Sequence, residues 1–206
     1  MKKRNKILAL LLVGLVVMNT SPISSQNSSS EIDCSICGIY VSGEDYAKHN
    51  LAYSFNCESS GKIKLHHFFS GRHIDIVMGG KKTRLDKDSI FGYRNCKNED
   101  YRFYKTYDEE YQILENKGII IYLSYVKVSS YNAKGIQLAP AYFFSRTIDS
   151  EILPLTISNL KKALPDNYTF QSMLSFEFGG GEALYAYSAT DKMYKVNVLL
   201  NKSNLK

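Results

Sequence analysis

The spacing of apolar residues changes once along this chain, and that change restricts the folds open to it. From Leu51 to about Phe144 apolar side chains recur at every second position. Lys62 to Phe69 puts Ile63, Leu65, His67 and Phe69 on one face and Lys62, Lys64 and His66 on the other. His73 to Met78 sets Ile74, Ile76 and Met78 against His73 and Asp75. A period of two belongs to half-buried strands, because successive Cβ atoms point to opposite faces. Gly79-Gly80 supplies the positive φ of a two-residue hairpin turn before the strand resumes at Lys82 to Leu85. Further strands are expected at Ser89 to Tyr93, Tyr101 to Tyr104, Tyr111 to Leu114, Gly118 to Val128 and Ala141 to Ser145, with short polar turns between them. Ile119, Ile120 and Ile121 are apolar on both faces, which suits a central strand.

After Pro154 the period becomes helical. Thr156 can cap a helix carrying Ile157, Leu160 and Leu164, which Pro165 stops. Phe170, Met173, Leu174 and Phe178 form a second stripe ending at Gly179-Gly180-Gly181, and Met193, Val196, Asn197 and Leu200 a third, from about Thr190. Upstream, Ser42 with Asp45 three residues on marks the start of a short helix ending near Asn50. Strands followed by helices predict an α+β fold: an antiparallel β-meander, as a curved sheet or small barrel, followed by C-terminal helices.

The N-terminus reads differently. Lys2, Lys3, Arg4 and Lys6 precede an apolar run from Ile7 to Val17, then Asn19-Thr20-Ser21-Pro22 and a Ser-rich tract. This is secretory-signal grammar, and a run of 11 residues is too short to span a bilayer. The expected organisation is a signal peptide over 1–25, a disordered linker over 26–33 and one domain over 34–206, β-rich at 51–145 and helical at 156–201. The expected location is secreted or periplasmic, with no integral membrane segment after cleavage. The chain holds 26 Lys and Arg against 20 Asp and Glu; without the four cations of the signal the balance is 22 against 20. So small a net charge argues against nucleic acid as a partner.

Four cysteines, Cys34, Cys37, Cys57 and Cys96, read in an exported chain as two disulfides with three possible pairings. One option bridges Cys57 and Cys96, both beside expected strands; the competing one ties Cys34 and Cys37 to them. Cys34-Ser35-Ile36-Cys37 also has the spacing of thiol-redox motifs, but no helix follows to lower a thiol pKa. A four-cysteine zinc site is disfavoured because Cys57 and Cys96 lie 39 residues apart. His66, His73 and Asp75 could meet on the polar face of a strand as a weak metal set, whereas His67 falls on the apolar face. No phosphate-loop or hydrolase motif is present, and no cofactor is expected. The many tyrosines of the β-region suit either strand packing or contacts to protein or glycan.

Cys34-x-x-Cys37-Gly38-Ile39-Tyr40, Lys62-Ile63-Lys64-Leu65, Ile90-Phe91-Gly92-Tyr93-Arg94, Tyr101-Arg102-Phe103-Tyr104 and Asn159-Leu160-Lys161-Lys162-Ala163 together resemble a group of small secreted Bacteroidota proteins. The resemblance spans roughly Cys34 to Leu200. It implies a Gram-negative envelope or extracellular location and carries no activity to any residue. The resulting expectation is an exported, non-enzymatic binding module for an envelope or extracellular protein or glycan. The alternative is a thiol-redox (Cys34/Cys37) or metal-dependent (His66/His73/Asp75) enzyme.

Overall fold

A computed structural model describes residues 36–204 except 60, 67–70, 105 and 130–135. The expected signal peptide and linker, Cys34 and His67 therefore lie outside the described residues. In chain order the elements are β1 (Ile36–Tyr40), α1 (Gly43–Ala47), β2 (Ala52–Asn56), β3 (Lys62–Lys64), β4 (His73–Met78), β5 (Lys81–Asp86) and β6 (Gly92–Arg94). They continue with β7 (Asp100–Tyr104), β8 (Thr106–Glu115), β9 (Ile120–Ser129), β10 (Ile136–Ser145), β11 (Leu153–Pro154), α2 (Ile157–Ala163) and α3 (Tyr168–Phe178). Last come β12 (Tyr187–Ser188), β13 (Met193–Tyr194) and α4 (Lys195–Ser203).

The meander is β6 to β10, each strand antiparallel to the next. The eight-stranded sheet runs β11-β10-β9-β8-β7-β6-β1-β2, open at both ends, so the curved-sheet expectation holds and the barrel does not. Two features depart from a simple meander. The hairpin β1–β2 joins beside β6, and β3-β4-β5 forms a separate three-stranded sheet. The hairpin turns where expected, with Gly79 at φ 54° and Gly80 at φ 77°.

Cross-strand partners share a face, and one row of them crosses the large sheet: Ile39, Tyr93, Tyr101, Gln112, Leu123 and Tyr142. That face has two covers. At one end Ile119, Ile121 and Phe144 pack beneath Leu160, Phe170, Leu174, Phe178, Val196 and Leu200 of the three C-terminal helices. At the other, Ile74 and Ile76 of the small sheet pack on Ile39, Ile90, Tyr93 and Phe103. Each fully buried Leu, Ile or Phe contributes about 1.5–3 kcal/mol relative to exposure, so these two patches dominate the fold's stability. On the opposite face Tyr111, Ile120, Tyr122 and Ile152 form a smaller cluster.

Local signals fix the helix starts. Ser42 and Asp45 make a reciprocal capping box, and the Thr156 side chain accepts from the Asn159 N–H. The last helix begins five residues later than its apolar stripe suggests. Tyr187–Ser188 and Met193–Tyr194 pair as a small ladder first, taking the backbone hydrogen bonds a longer helix would need. The expected strand at Ser89 is likewise shortened, because Lys87–Ser89 forms a 3-10 turn capped by Asp86 before β6 begins. Among the described residues no helix is long and apolar enough to cross a membrane.

Candidate functional site

Three of the four cysteines meet at one corner of the large sheet. β1 is flanked by β2 on one side and β6 on the other, so residues just past the ends of both neighbours fall beside Cys37. Cys57 directly follows β2, in a turn closed by the Glu58 N–H donating to Asn56 Oδ1 (2.8 Å) and the Ser59 N–H to Asn56 O (2.9 Å). Cys96 follows β6, in a turn whose Lys97 and Glu99 N–H groups donate to Asn95 Oδ1 (2.9 and 3.0 Å). Asn98 takes the positive φ (60°) this tight turn demands.

Cys57 and Cys96 form a disulfide. Cys37, expected in a disulfide, is a free buried thiol. Its Sγ lies 2.9 Å from Cys96 Sγ and 3.1 Å from Cys57 Sγ, and 3.6 Å from the Phe55 carbonyl oxygen. The sulfurs grade outward, with Cys37 buried, Cys57 half-buried and Cys96 exposed. Burial pushes the Cys37 thiol above the ordinary cysteine value, since desolvation penalises the thiolate. A cleft of 360 Å³ with apolar walls from Phe55, Ile63, Leu65 and Tyr93 opens onto Cys37 and Cys96. The three cysteines are the group of soft or acidic side chains, among the described residues, that could hold one metal ion. Separation by 39 residues thus proves no obstacle to a shared site, because strand order rather than sequence distance brings Cys57 and Cys96 together.

The histidine set resolves differently. His66 Nε2 lies 2.6 Å from Asp75 Oδ2, as the polar-face reading requires. The same carboxylate also pairs with Lys82 Nζ at 2.7 Å and Arg84 Nε at 2.9 Å. Antiparallel register is the cause, since Asp75 faces Arg84 directly across β4–β5. Two permanent cations at one carboxylate repel a third, so this is an ion-pair cluster and the metal set His66/His73/Asp75 does not form. His73 is exposed and faces Asp86 across the hairpin instead.

The Arg84 guanidinium, then Lys82 and His66, hold the buried Asp75 carboxyl well below the usual carboxylate range, outweighing its desolvation. A depressed folded-state pKa stabilises the fold above the unfolded pKa and ceases to do so as pH falls through the folded value. Urea melts are therefore expected to lose stability between about pH 4 and pH 2, and Asp75→Asn to flatten that part of the curve. An unchanged acid limb in the variant would contradict the assignment.

Most tyrosines serve packing. Tyr93 stacks on Tyr101 at 4.9 Å, Tyr142 on Tyr185 at 4.1 Å, and Tyr122 is fully buried. Tyr125, on the outer part of β9, stays 62% exposed and does not follow the packing reading. Two buried polar contacts had no local sequence signal. Asn197 reaches Glu115 and both backbone groups of Ile119, and Arg102 lies between the rings of Phe91 and Tyr104. No protein-family model, no curated protein and no solved structure matches this chain.

Proposed function

We propose that this is an exported protein whose cysteine corner becomes a thiolate metal site once a dithiol reductant cleaves the Cys57–Cys96 disulfide, itself leaving as a disulfide. Cys37, Cys57 and Cys96 then hold one zinc ion, with Cys34 as the fourth ligand. The observation that carries the reading is the near-equal distance of Cys37 Sγ from Cys96 Sγ and Cys57 Sγ, 2.9 and 3.1 Å. Displacement at a disulfide runs in line with the bond that breaks, so an attacking thiolate sits near one sulfur and far from the other. Cys37 instead sits beside the bond, with all three sulfurs converging on one point. Its raised pKa also makes it a poor nucleophile at neutral pH, whereas a metal offsets that cost by taking the thiolate as ligand.

Thiolates around tetrahedral zinc lie about 3.8 Å apart at a Zn–S length of about 2.3 Å, so the Cys37 contacts open by less than about 1 Å on binding, while the Cys57 and Cys96 sulfurs, once unbonded, part by about 1.8 Å. Cys34 precedes Cys37 by the two-residue gap of paired zinc ligands, and that spacing in the sequence makes it the fourth donor of the proposal. Four protein ligands leave no open position, which makes the role structural: the ion would staple β1, the turn after β2 and the turn after β6. Export is supported by the basic and apolar segments at residues 2–17.

The test is metal analysis of protein purified under reductant, with cobalt substitution as the optical probe. About one zinc per chain is expected, with the visible bands of a tetrahedral cobalt thiolate, and Cys37→Ser should weaken binding at least about 100-fold. Reduced protein that binds neither zinc nor cobalt would overturn the site. Peptide mapping that finds Cys34 bonded to Cys37 even after mild reduction would do the same.

A further inference from the structure

The small sheet buries one face and presents the other to solvent. Ile63, Ile74, Ile76 and Leu85 point to the core, so alternation turns Lys62, Lys64, Asp75, Lys82 and Arg84 outward. Register sets them in rows: Lys64, Asp75 and Arg84 lie side by side across β3-β4-β5, with Lys62, Val77 and Lys82 as the next row. Four cations thus surround one carboxylate on this face. The opposing charge at the far end, Asp86, is engaged in capping the Lys87–Ser89 turn.

We propose that this face is a binding platform for a linear anionic polysaccharide carrying carboxylate or sulfate groups. Asp75 is fully buried beneath Lys82, Arg84 and His66, whose side chains remain 53%, 57% and 37% exposed. It orders these cations without neutralising the face, so less side-chain entropy is lost when an anion arrives. Lys62 and Lys64 extend the platform from the other side of β4, and Asp75's ion-pair partners do not include them. Like-facing residues repeat about 6.8 Å along a strand, and outer strands sit about 9.6 Å apart. Such a flat, repeating array suits an extended polymer lying on the sheet.

Charge complementarity alone would also fit an anionic membrane, but among the described residues β3-β4-β5 offers no exposed large apolar side chain to insert. The exposed large apolar residues of the described chain, such as Tyr125, Leu138, Tyr168 and Phe176, all lie outside β3-β4-β5. Interfacial binding draws on buried apolar area as well as on charge.

Calorimetric titration of the intact chain with alginate oligosaccharide tests this. Binding is expected at low salt and should weaken as salt rises. Lys62→Gln combined with Lys64→Gln should lower affinity about tenfold with an unchanged melting temperature, whereas Lys202→Gln on α4 should leave affinity as it is. Absence of binding at low salt, or equal affinity in the Lys62/Lys64 variant, would overturn the proposal. Tighter binding to phosphatidylglycerol vesicles with the same variant dependence would overturn it too, by giving the face to a membrane.

Discussion

Asn197→Ala should cost about 3–4 kcal/mol, a large fraction of the 5–15 kcal/mol typical of a whole domain. Asn197 is fully buried, and both donors and the oxygen of its amide are committed to the β8–β9 turn. Its Nδ2 donates to Glu115 Oε1 at 2.6 Å and to the Ile119 carbonyl at 2.9 Å, while its Oδ1 accepts from the Ile119 N–H at 3.0 Å. Glu115 in turn accepts from the Tyr194 N–H at 3.1 Å, where α4 begins. Truncation leaves a peptide group and a carboxylate buried and short of partners, and each deficit carries a desolvation penalty. The turn is shaped for this contact. Gly118 holds φ at 151°, and a Cβ there would come within 2.6 Å of Asn197 Oδ1.

Urea denaturation decides the matter, with exposed Asn201→Ala as a control expected to stay within about 0.5 kcal/mol of the parent. A loss below about 1 kcal/mol for Asn197→Ala would mean that water replaces the amide and that apolar packing alone holds α4 on the sheet.

Asn197 also marks where sequence reading stops. Its apolar neighbours Val196 and Leu200 announce a helix through their spacing, but nothing local says that the polar residue among them faces inward. The same divide runs through the fold. Gly79-Gly80, the Ser42–Asp45 box and the Thr156 cap were legible because each acts within a few residues. The placement of β1–β2 beside β6, and the separation of β3-β4-β5 as its own layer, depend on which faces find cover, and so on the whole chain. The Asp75 cluster falls between these cases. Once the turn is placed at Gly79-Gly80, register alone sets Asp75 opposite Arg84 and Val77 opposite Lys82. The cysteine corner is the opposite case, since a separation of 39 residues along the chain hides a contact that strand order creates.

Convergence of three sulfurs gives the second large effect. In a Cys34→Ala background, the Cys57–Cys96 bond closes a loop of 39 residues and should contribute about 4 kcal/mol through the unfolded chain. Removing one partner would ordinarily forfeit all of it. Here Cys37 already touches both sulfurs, so after reoxidation Cys57→Ala should trap a Cys37–Cys96 bond across 59 residues, again worth about 4 kcal/mol. Cys96→Ala should trap Cys37–Cys57 across 20 residues, worth about 3 kcal/mol. Only a double change should lose the full contribution; in the combined Cys37→Ala and Cys57→Ala variant, for example, Cys96 has no partner at the corner. Denaturation of the reoxidised variants, with peptide mapping of the bond each one holds, separates the cases. If Cys57→Ala alone loses the full amount and keeps Cys37 and Cys96 as thiols, the three sulfurs do not interchange, and the shared centre proposed for them loses its geometric basis.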